Sequence, residues 1–525
     1  MKFRKYSLFL LLAGTFSLLP SCFNDLDTVP LDKDEAVSEV IYSNPENYKK
    51  VLAKIYAGLS TTGQQGPAGQ ADISGIDEGF GQYIRALWYH QELTTDEAVI
   101  AWNDQTIKDF HEQDWSSNDN FIFAMYSRIF YQVSICNEFL RETTEAKLDS
   151  RNITGDIRKE IATYRAEARF MRALSYWHAM DLFANPPFYT DAESVGSGNP
   201  RQTNRQELFT FLESELKDIE GSLAPPRNEY GRADQAAAWM LLAKLYINAK
   251  VYIGVEKNTE CIEYCNKVIG AGYSLEPVYQ HNFTADNWKS RENIFSAVYD
   301  GINIQTYGGT TFIIHAAIGG DMAPTDYGFN GGWGGTRTTS TFVDKFSPND
   351  GRAMFYEQGQ TKEIEDISLF NNGYAITKFT NLNSDGSNGS DREFADTDFP
   401  IFRLADAYLM YAEAVLRGGS GGDVNTAVGY INQLRERAYN GTSGNITSGD
   451  LTLDFILDER ARELYWECHR RTDLIRFGYF SNSPYLWDWK GGVPEGIATD
   501  SKYDIFPIPA ADRAANPNLQ QNDGY

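Results

Sequence analysis

The sequence predicts a mostly α-helical fold in which helical hairpins carry a long, irregular, loop-rich region with a few short strands. Three observations predict it. Apolar residues recur at helical spacing through 40–272 and again through 400–480. Between 273 and 399 that periodicity fails, and Gly, Asn, Asp and Thr dominate around short apolar runs such as 293–299 and 310–315. Two segments, 77–102 and 307–333, concentrate Gly, Trp and Tyr beside isolated Asp and Arg.

Taken in order, the chain opens with Lys2, Arg4 and Lys5, followed by an apolar run over 8–19 that ends at Leu19-Pro20-Ser21-Cys22. A run of about a dozen residues is short for a bilayer span and right for a signal peptide. The Cys that closes it resembles a bacterial lipobox, in which a lipoprotein signal peptidase cuts before the Cys and the Cys carries the lipid. Acyl chains contribute about 0.8 kcal/mol per buried CH₂, so a multiply acylated Cys22 anchors without a transmembrane helix. The expectation is a signal peptide over 1–21, a polar tether to about 34, and a single domain over 22–525 attached to a membrane through Cys22.

The chain has a formal net charge of −25, which becomes about −28 when Lys2, Arg4 and Lys5 leave with the leader. So acidic a surface argues against nucleic acid and anionic lipid as partners. Cys136, Cys261, Cys265 and Cys468 form no disulfide framework, and a core this large needs none. Cys261 and Cys265 stand at i,i+4, but no His precedes His281 nearby, so the expectation is small buried side chains, with no metal and no cofactor.

Helices are expected over 47–59, 120–142, 157–182, 206–223, 234–248 and 260–269, then 401–416, 424–438 and 457–477. The third stops at Asn185-Pro186-Pro187, where proline removes a donor and clashes with the preceding turn. The fifth is Ala-rich and suited to close packing. Alternating helices of similar length with Ala at contacts resemble tetratricopeptide hairpins of degenerate repeat. Over 457–477, Arg460, Arg462, His469, Arg470, Arg471 and Arg476 alternate with Glu459, Glu463, Glu467 and Asp473, read as i,i+3 and i,i+4 pairs on a scaffold helix. The tail over 485–525 is irregular, and Tyr485, Trp487 and Trp489 are expected to pack across the body.

The two aromatic segments, read as surface loops, carry the functional expectation. Flat rings beside hydrogen-bonding side chains suit a sugar chain: C–H faces stack on rings and hydroxyls pair with Asp, Arg or Asn. Trp102 is followed by the polar run Asn103-Asp104-Gln105, which suggests partial exposure, though a core-capping ring reads the same way. In 96–102, alternation places Ile100 and Trp102 on one face. Tyr307 precedes Gly308-Gly309 and could anchor a turn. Trp333 lies among glycines that leave it few neighbours. Asp77 and Arg85 read equally as sugar contacts or as a surface ion pair. Against catalysis, there is no nucleophile elbow, no HExxH and no Gly-rich phosphate loop. Asp96-Glu97 is the most tempting carboxylate pair, but neighbours in an extended segment point opposite ways. A pure interaction scaffold is the other rival, since such hairpins also bind proteins.

Several stretches resemble the SusD/RagB family of outer-membrane nutrient-binding lipoproteins: the lipobox at Cys22, RAEARFMRALSYWHAMDLF, GRADQAAAWMLLAKLYINA, FRLADAYLMYAEA, ILDERARELYWECHRRTDLIRFG and the ending YDIFPIPAADRAANPNLQQNDGY. They run through the chain in the family's order. The resemblance implies a tetratricopeptide-like scaffold under variable loops (roughly 60–118 and 273–399), surface exposure at the outer membrane, and a SusC-type TonB-dependent transporter as partner. IDEGFGQYIR, LTTDEAVIAW, TYGGTTF, YLWDWKGG and QNDGY are similar to the family's starch-binding founding member. That similarity implies an α-glucan or other oligosaccharide held by Asp77, Arg85, Trp102, Gln105, Tyr307 and Trp333, without catalysis. Ile100 stands where that member has a second tryptophan, and Gln105 stands near an expected asparagine.

Overall fold

The structure, a computed structural model, describes residues 38–104 and 106–525. The leader, Cys22 and Gln105 lie outside the described residues. These fall into two units, 38–48 and 49–525. The first contains the helix Ser38–Tyr42, where the Tyr48 hydroxyl donates to the Tyr42 carbonyl at 3.1 Å.

The main unit is mostly helical, with tetratricopeptide-like pairs. Asn120–Glu142 starts where Asp119 caps it, its Oδ1 accepting from the amides of Phe121 and Ile122 at 2.8 Å. It packs on the 29-residue helix Gly155–Phe183, which in turn packs on Arg205–Ile219. Gly155–Phe183 ends at Ala184, whose φ of 58° turns the chain toward Pro186-Pro187. Gln235–Ile247 lies against Asn258–Ile269 and Leu404–Leu416, with Ala236, Ala237, Ala238 and Ala243 fully buried, so small side chains set the close approach. Among the described residues no helix is long and apolar enough to cross a membrane.

The strands are short antiparallel pairs. Asn293–Ala297 pairs with Phe399–Arg403, so residues 401–403 belong to a strand and the helix expected from 401 begins at Leu404. Val99–Ile100 pairs with Thr336–Arg337. The region 273–399, expected to be irregular, holds a buried helix Gly309–Ala317 where 310–315 read as a short apolar run. The first aromatic segment likewise contains a helix, Tyr83–Gln91, with Trp88 and Tyr89 in the core, so neither segment is a surface loop throughout.

The helix expected over 457–477 is broken into Leu453–Leu464 and Arg470–Phe477, with Trp466 and Cys468 at φ 63° and 64° between them. Its charges are buried, and most are paired across the fold rather than along one helix. Arg403 donates to Glu467 at 2.6 Å and to Glu292 and Glu463 at 2.7 Å. Arg352 reaches Asp350, Glu459 and Glu463. Arg460 reaches Asp406 and Asp473, and Arg476 reaches Glu413. Pairing offsets the cost of burying these ions, roughly several kcal/mol each when unpaired; Arg471 is the exception, buried and donating to the carbonyls of Tyr503 and Asp504. The tail packs as expected: Trp487 is buried, Trp489 Nε1 donates to the Ile364 carbonyl at 2.8 Å, and Tyr485 donates to Asp96 at 2.6 Å. Asp96 and Glu97 are both buried. Asp96 takes both arms of Arg470 at 2.7 Å.

Candidate functional site

The pairing of Val99–Ile100 with Thr336–Arg337 brings the two aromatic segments together. The Ala101 amide extends it by donating to the Gly335 carbonyl at 2.8 Å. Just beyond, the Trp102 indole lies flat against Gly335: a Cβ there would sit 2.6 Å from Trp102 Cε2, so only glycine admits the ring. Trp102 Nε1 then donates to the Trp333 carbonyl at 3.1 Å. The Trp102 indole is therefore held by backbone of the second segment.

Three rings stand in series. The centroids of Trp102 and Trp333 are 6.3 Å apart, and those of Trp333 and Tyr307 6.2 Å apart. All three are half-buried, so each keeps surface toward solvent. Trp333 is better supported than its glycine-rich sequence predicts: it stacks on His315 at 4.7 Å with 10° between planes. His315 is fixed in turn, Nδ1 lying 2.8 Å from the Gly331 carbonyl and Nε2 2.9 Å from the Glu393 carbonyl. Burial lowers its pKa, so the neutral form is favoured and one of the two contacts carries no proton. The Tyr307 hydroxyl donates to Glu393 at 2.6 Å; that carboxylate, with burial, pushes the phenol up to about 12.

Arg85 lies beneath these rings. Its guanidinium carbon is 4.4 Å from the Phe312 centroid, 5.9 Å from Trp333 and 6.0 Å from Trp102. Nε donates to the Tyr89 hydroxyl at 2.7 Å and Nη1 to the Tyr307 carbonyl at 2.8 Å. Among the described residues Nη2 makes no hydrogen bond and no carboxylate pairs with Arg85, so the ion-pair reading with Asp77 does not hold. Asp77 instead closes a turn, its Oδ1 accepting from the amides of Gly79 and Phe80 at 2.8 and 3.0 Å. It remains close by: a Cβ on Gly79 would stand 3.1 Å from Asp77 Oδ1, 3.2 Å from Arg85 Nη1 and 3.6 Å from Tyr307 Cβ.

Asp77, Arg85, Trp102, Tyr307 and Trp333 thus converge, and Gln105 lies outside the described residues. Ile100 does not share an exposed face with Trp102. It is fully buried in the strand pair, as is Val99, because a strand covered on both faces does not alternate. Sequence reasoning missed His315, Phe312 and Glu393 as supports. His315 and Phe312 lie within the segment already singled out, while Glu393 carries no local signal. For metal, the described residues offer one acidic group close enough to share an ion: Asp109, Glu112 and Asp114. Burial and neighbouring carboxylates push Asp109 up to about 7. The Cys261 and Cys265 sulfurs are 3.9 Å apart and buried.

The class of protein that joins this tetratricopeptide-like scaffold to such loops is given by comparison with known proteins: the chain belongs to the SusD family. A sequence model of that family matches residues 365–525. The starch-binding protein SusD of Bacteroides thetaiotaomicron is 36% identical to this chain, with 98% of each covered. The fold recurs in a SusD superfamily protein from Bacteroides vulgatus, at TM-score 0.71 and 19% identity over 92% of this chain and 99% of that one. It recurs again in surface glycan-binding protein A from Bacteroides thetaiotaomicron in complex with laminarihexaose, at TM-score 0.69 and 20% identity over 91% of this chain and 99% of that one.

Proposed function

We propose that this protein is a cell-surface glycan-binding lipoprotein that captures starch or malto-oligosaccharides by aromatic stacking and passes them to a SusC-type TonB-dependent transporter. The observation that carries the reading is the series Trp102, Trp333 and Tyr307 at about 6 Å spacing over an arginine with an unused donor edge. Sugar C–H faces lie on the rings, Arg85 Nη2 donates to a hydroxyl, and Asp77 accepts one. The rings are held from behind by His315, Phe312 and backbone, so little ordering entropy is lost on binding. The site performs no chemistry in this reading. Asp96 and Glu97, the carboxylate pair nearest Trp102 in sequence, are not available as an acid and a base, because both are buried and bonded. Cys22 supplies the lipid anchor at the outer membrane, and 22–525 acts as one domain with the scaffold toward the transporter and the loops toward the glycan.

The starch assignment rests on the resemblance to the starch-binding relative; buried Ile100 gives the platform one ring fewer than that member is expected to have. A different glucan is therefore the second reading, and a protein of this fold has been seen with laminarihexaose. Calorimetry of the domain lacking residues 1–22 against maltoheptaose, α-cyclodextrin, a fructan and a β-glucan decides. Selective α-glucan binding supports the proposal. Binding to the β-glucan or fructan alone replaces the substrate. Absence of binding to all four leaves an interaction scaffold.

A further inference from the structure

Of the chain's tryptophans, one is exposed: Trp288, at 57%. It does not hang from a frayed loop. The 3₁₀ turn Asn287–Lys289 that carries it is pinned by buried Asn287, whose Nδ2 donates to the carbonyls of Asn282 and Asp398 at 2.8 Å and whose Oδ1 accepts from the Asp398 amide at 3.1 Å. The Lys289 ammonium, bonded to Asp286 at 3.0 Å, lies 5.5 Å from the indole centroid and restrains the ring.

Beside Trp288 opens a cleft of about 510 Å³, within the roughly 300–1,000 Å³ of ligand sites. Two further apolar side chains left in water line it, Tyr230 at 41% and Ile302 at 57% exposure. Tyr230 is oriented by its hydroxyl, which donates to Asp398 at 2.6 Å. Asp300, Asn303 and Asp396 supply polar groups on the same walls. Apolar side chains gathered in one polar-rimmed cleft differ from apolar residues scattered singly, and such gathering marks a contact surface.

The cleft and the ring platform draw residues from the same two loops. Ile302 and Tyr307 are five residues apart, so at most about 18 Å separates them. In the second loop, Ser390 and Asp396 line the cleft while Glu393 holds the Tyr307 hydroxyl. A glycan chain that stacks on Tyr307 and follows these shared loops enters the cleft on its Ile302 and Asn303 side. The acidic walls accept hydroxyls and repel anionic chains, which selects an uncharged polymer.

The geometry points to Trp288, Tyr230, Ile302 and Asn303 as a second, chain-extending subsite for an uncharged polysaccharide, engaged by long glucans and not by short ones. This rests on the proposed glycan-binding function. The test uses the full chain in detergent, with amylopectin in affinity gels and maltotriose in calorimetry, comparing wild type with Trp288→Ala, Ile302→Arg and Trp102→Ala. The expected result is a loss of roughly five- to tenfold in amylopectin affinity for Trp288→Ala and Ile302→Arg, the size of one stacking contact. Maltotriose affinity stays at the wild-type level in both, whereas Trp102→Ala loses both ligands. Wild-type amylopectin affinity in Trp288→Ala and Ile302→Arg overturns the subsite and leaves the three-ring platform standing if Trp102→Ala still fails to bind. Loss of transporter co-purification in Trp288→Ala with unchanged amylopectin affinity makes the cleft a protein-docking surface and also overturns it. If wild type binds neither sugar, the subsite and the glycan-binding reading fall together.

Discussion

Arg403 and Arg85 are both arginines set among aromatic rings, and they teach opposite lessons. The Arg403 guanidinium lies 5.8 Å from the Tyr279 centroid and 5.7 Å from Phe283, and all three of its nitrogens are taken by Glu292, Glu463 and Glu467. It is 1% exposed. Arg85 touches Phe312, Trp102 and Trp333, is half-buried, and meets a phenol and a carbonyl but no carboxylate. Where every donor is answered inside the protein, the cluster is scaffold. Where rings keep a solvent face and a donor edge is left over, the cluster has capacity for a ligand.

The largest expected effect breaks the scaffold side of that comparison. Arg403→Met removes the cation shared by Glu292, Glu463 and Glu467 and leaves these buried carboxylates to Arg437, Arg352 and Lys378; the loss of one partner from a buried network costs about 3–5 kcal/mol. Denaturant unfolding is expected to show a drop of that size, or the variant fails to accumulate. On the ligand side, Trp102→Ala removes a stacking platform that also anchors the other segment through the Trp333 carbonyl. Calorimetry is expected to show maltoheptaose affinity reduced by at least roughly tenfold to a hundredfold, from about 1.5–3 kcal/mol of lost ring burial. Arg85→Met sharpens the contrast with Arg403: sugar affinity falls by roughly tenfold, the value of one charge-assisted hydrogen bond, while unfolding free energy changes by less than about 1.5 kcal/mol. If Arg85→Met destabilises as much as Arg403→Met, the distinction between the clusters fails.

A smaller effect depends on pH. Glu92 and Glu97 lie buried in contact under the strand that leads to Trp102. Burial pushes the Glu92 carboxyl up to about 7, and burial together with Glu92 raises Glu97 well above its ordinary value. The folded protein therefore holds more protons than the unfolded chain above about pH 4.5. The stability linked to this pair is fully present below that point and is lost as pH rises through about 7. Glu97→Gln removes one of the two titrating groups, so melting temperature is expected to fall less between pH 5.5 and 7.5 in the variant than in wild type. The smallest effect is that of Tyr307→Phe, which keeps the ring and loses only the bond to Glu393, so affinity is expected to change by less than about tenfold in calorimetry.

Much of this was legible in the sequence. Asn120–Glu142 and Val424–Ala438 were bounded by their patterns because each has an acidic cap and one apolar face. The helix Gly309–Ala317 was not, because it is buried on every side and shows no stripe; its β-branched run reads as easily as a strand. The charges of 457–477 looked like neighbours on one helix because partners such as Arg352, Arg403 and Asp96 lie far away in sequence. At the candidate site, composition located the two segments, and only the fold showed that Trp333 rests on His315 and that Ile100 is core. Trp288 drew no notice, since an isolated tryptophan in a polar stretch carries no period.

A crystal structure with maltoheptaose tests the central claim most directly. The expected result is sugar rings stacked over Trp102 and Trp333, near Tyr307, with a hydroxyl at hydrogen-bond distance from Arg85 Nη2. Sugar bound elsewhere with this platform empty would contradict it.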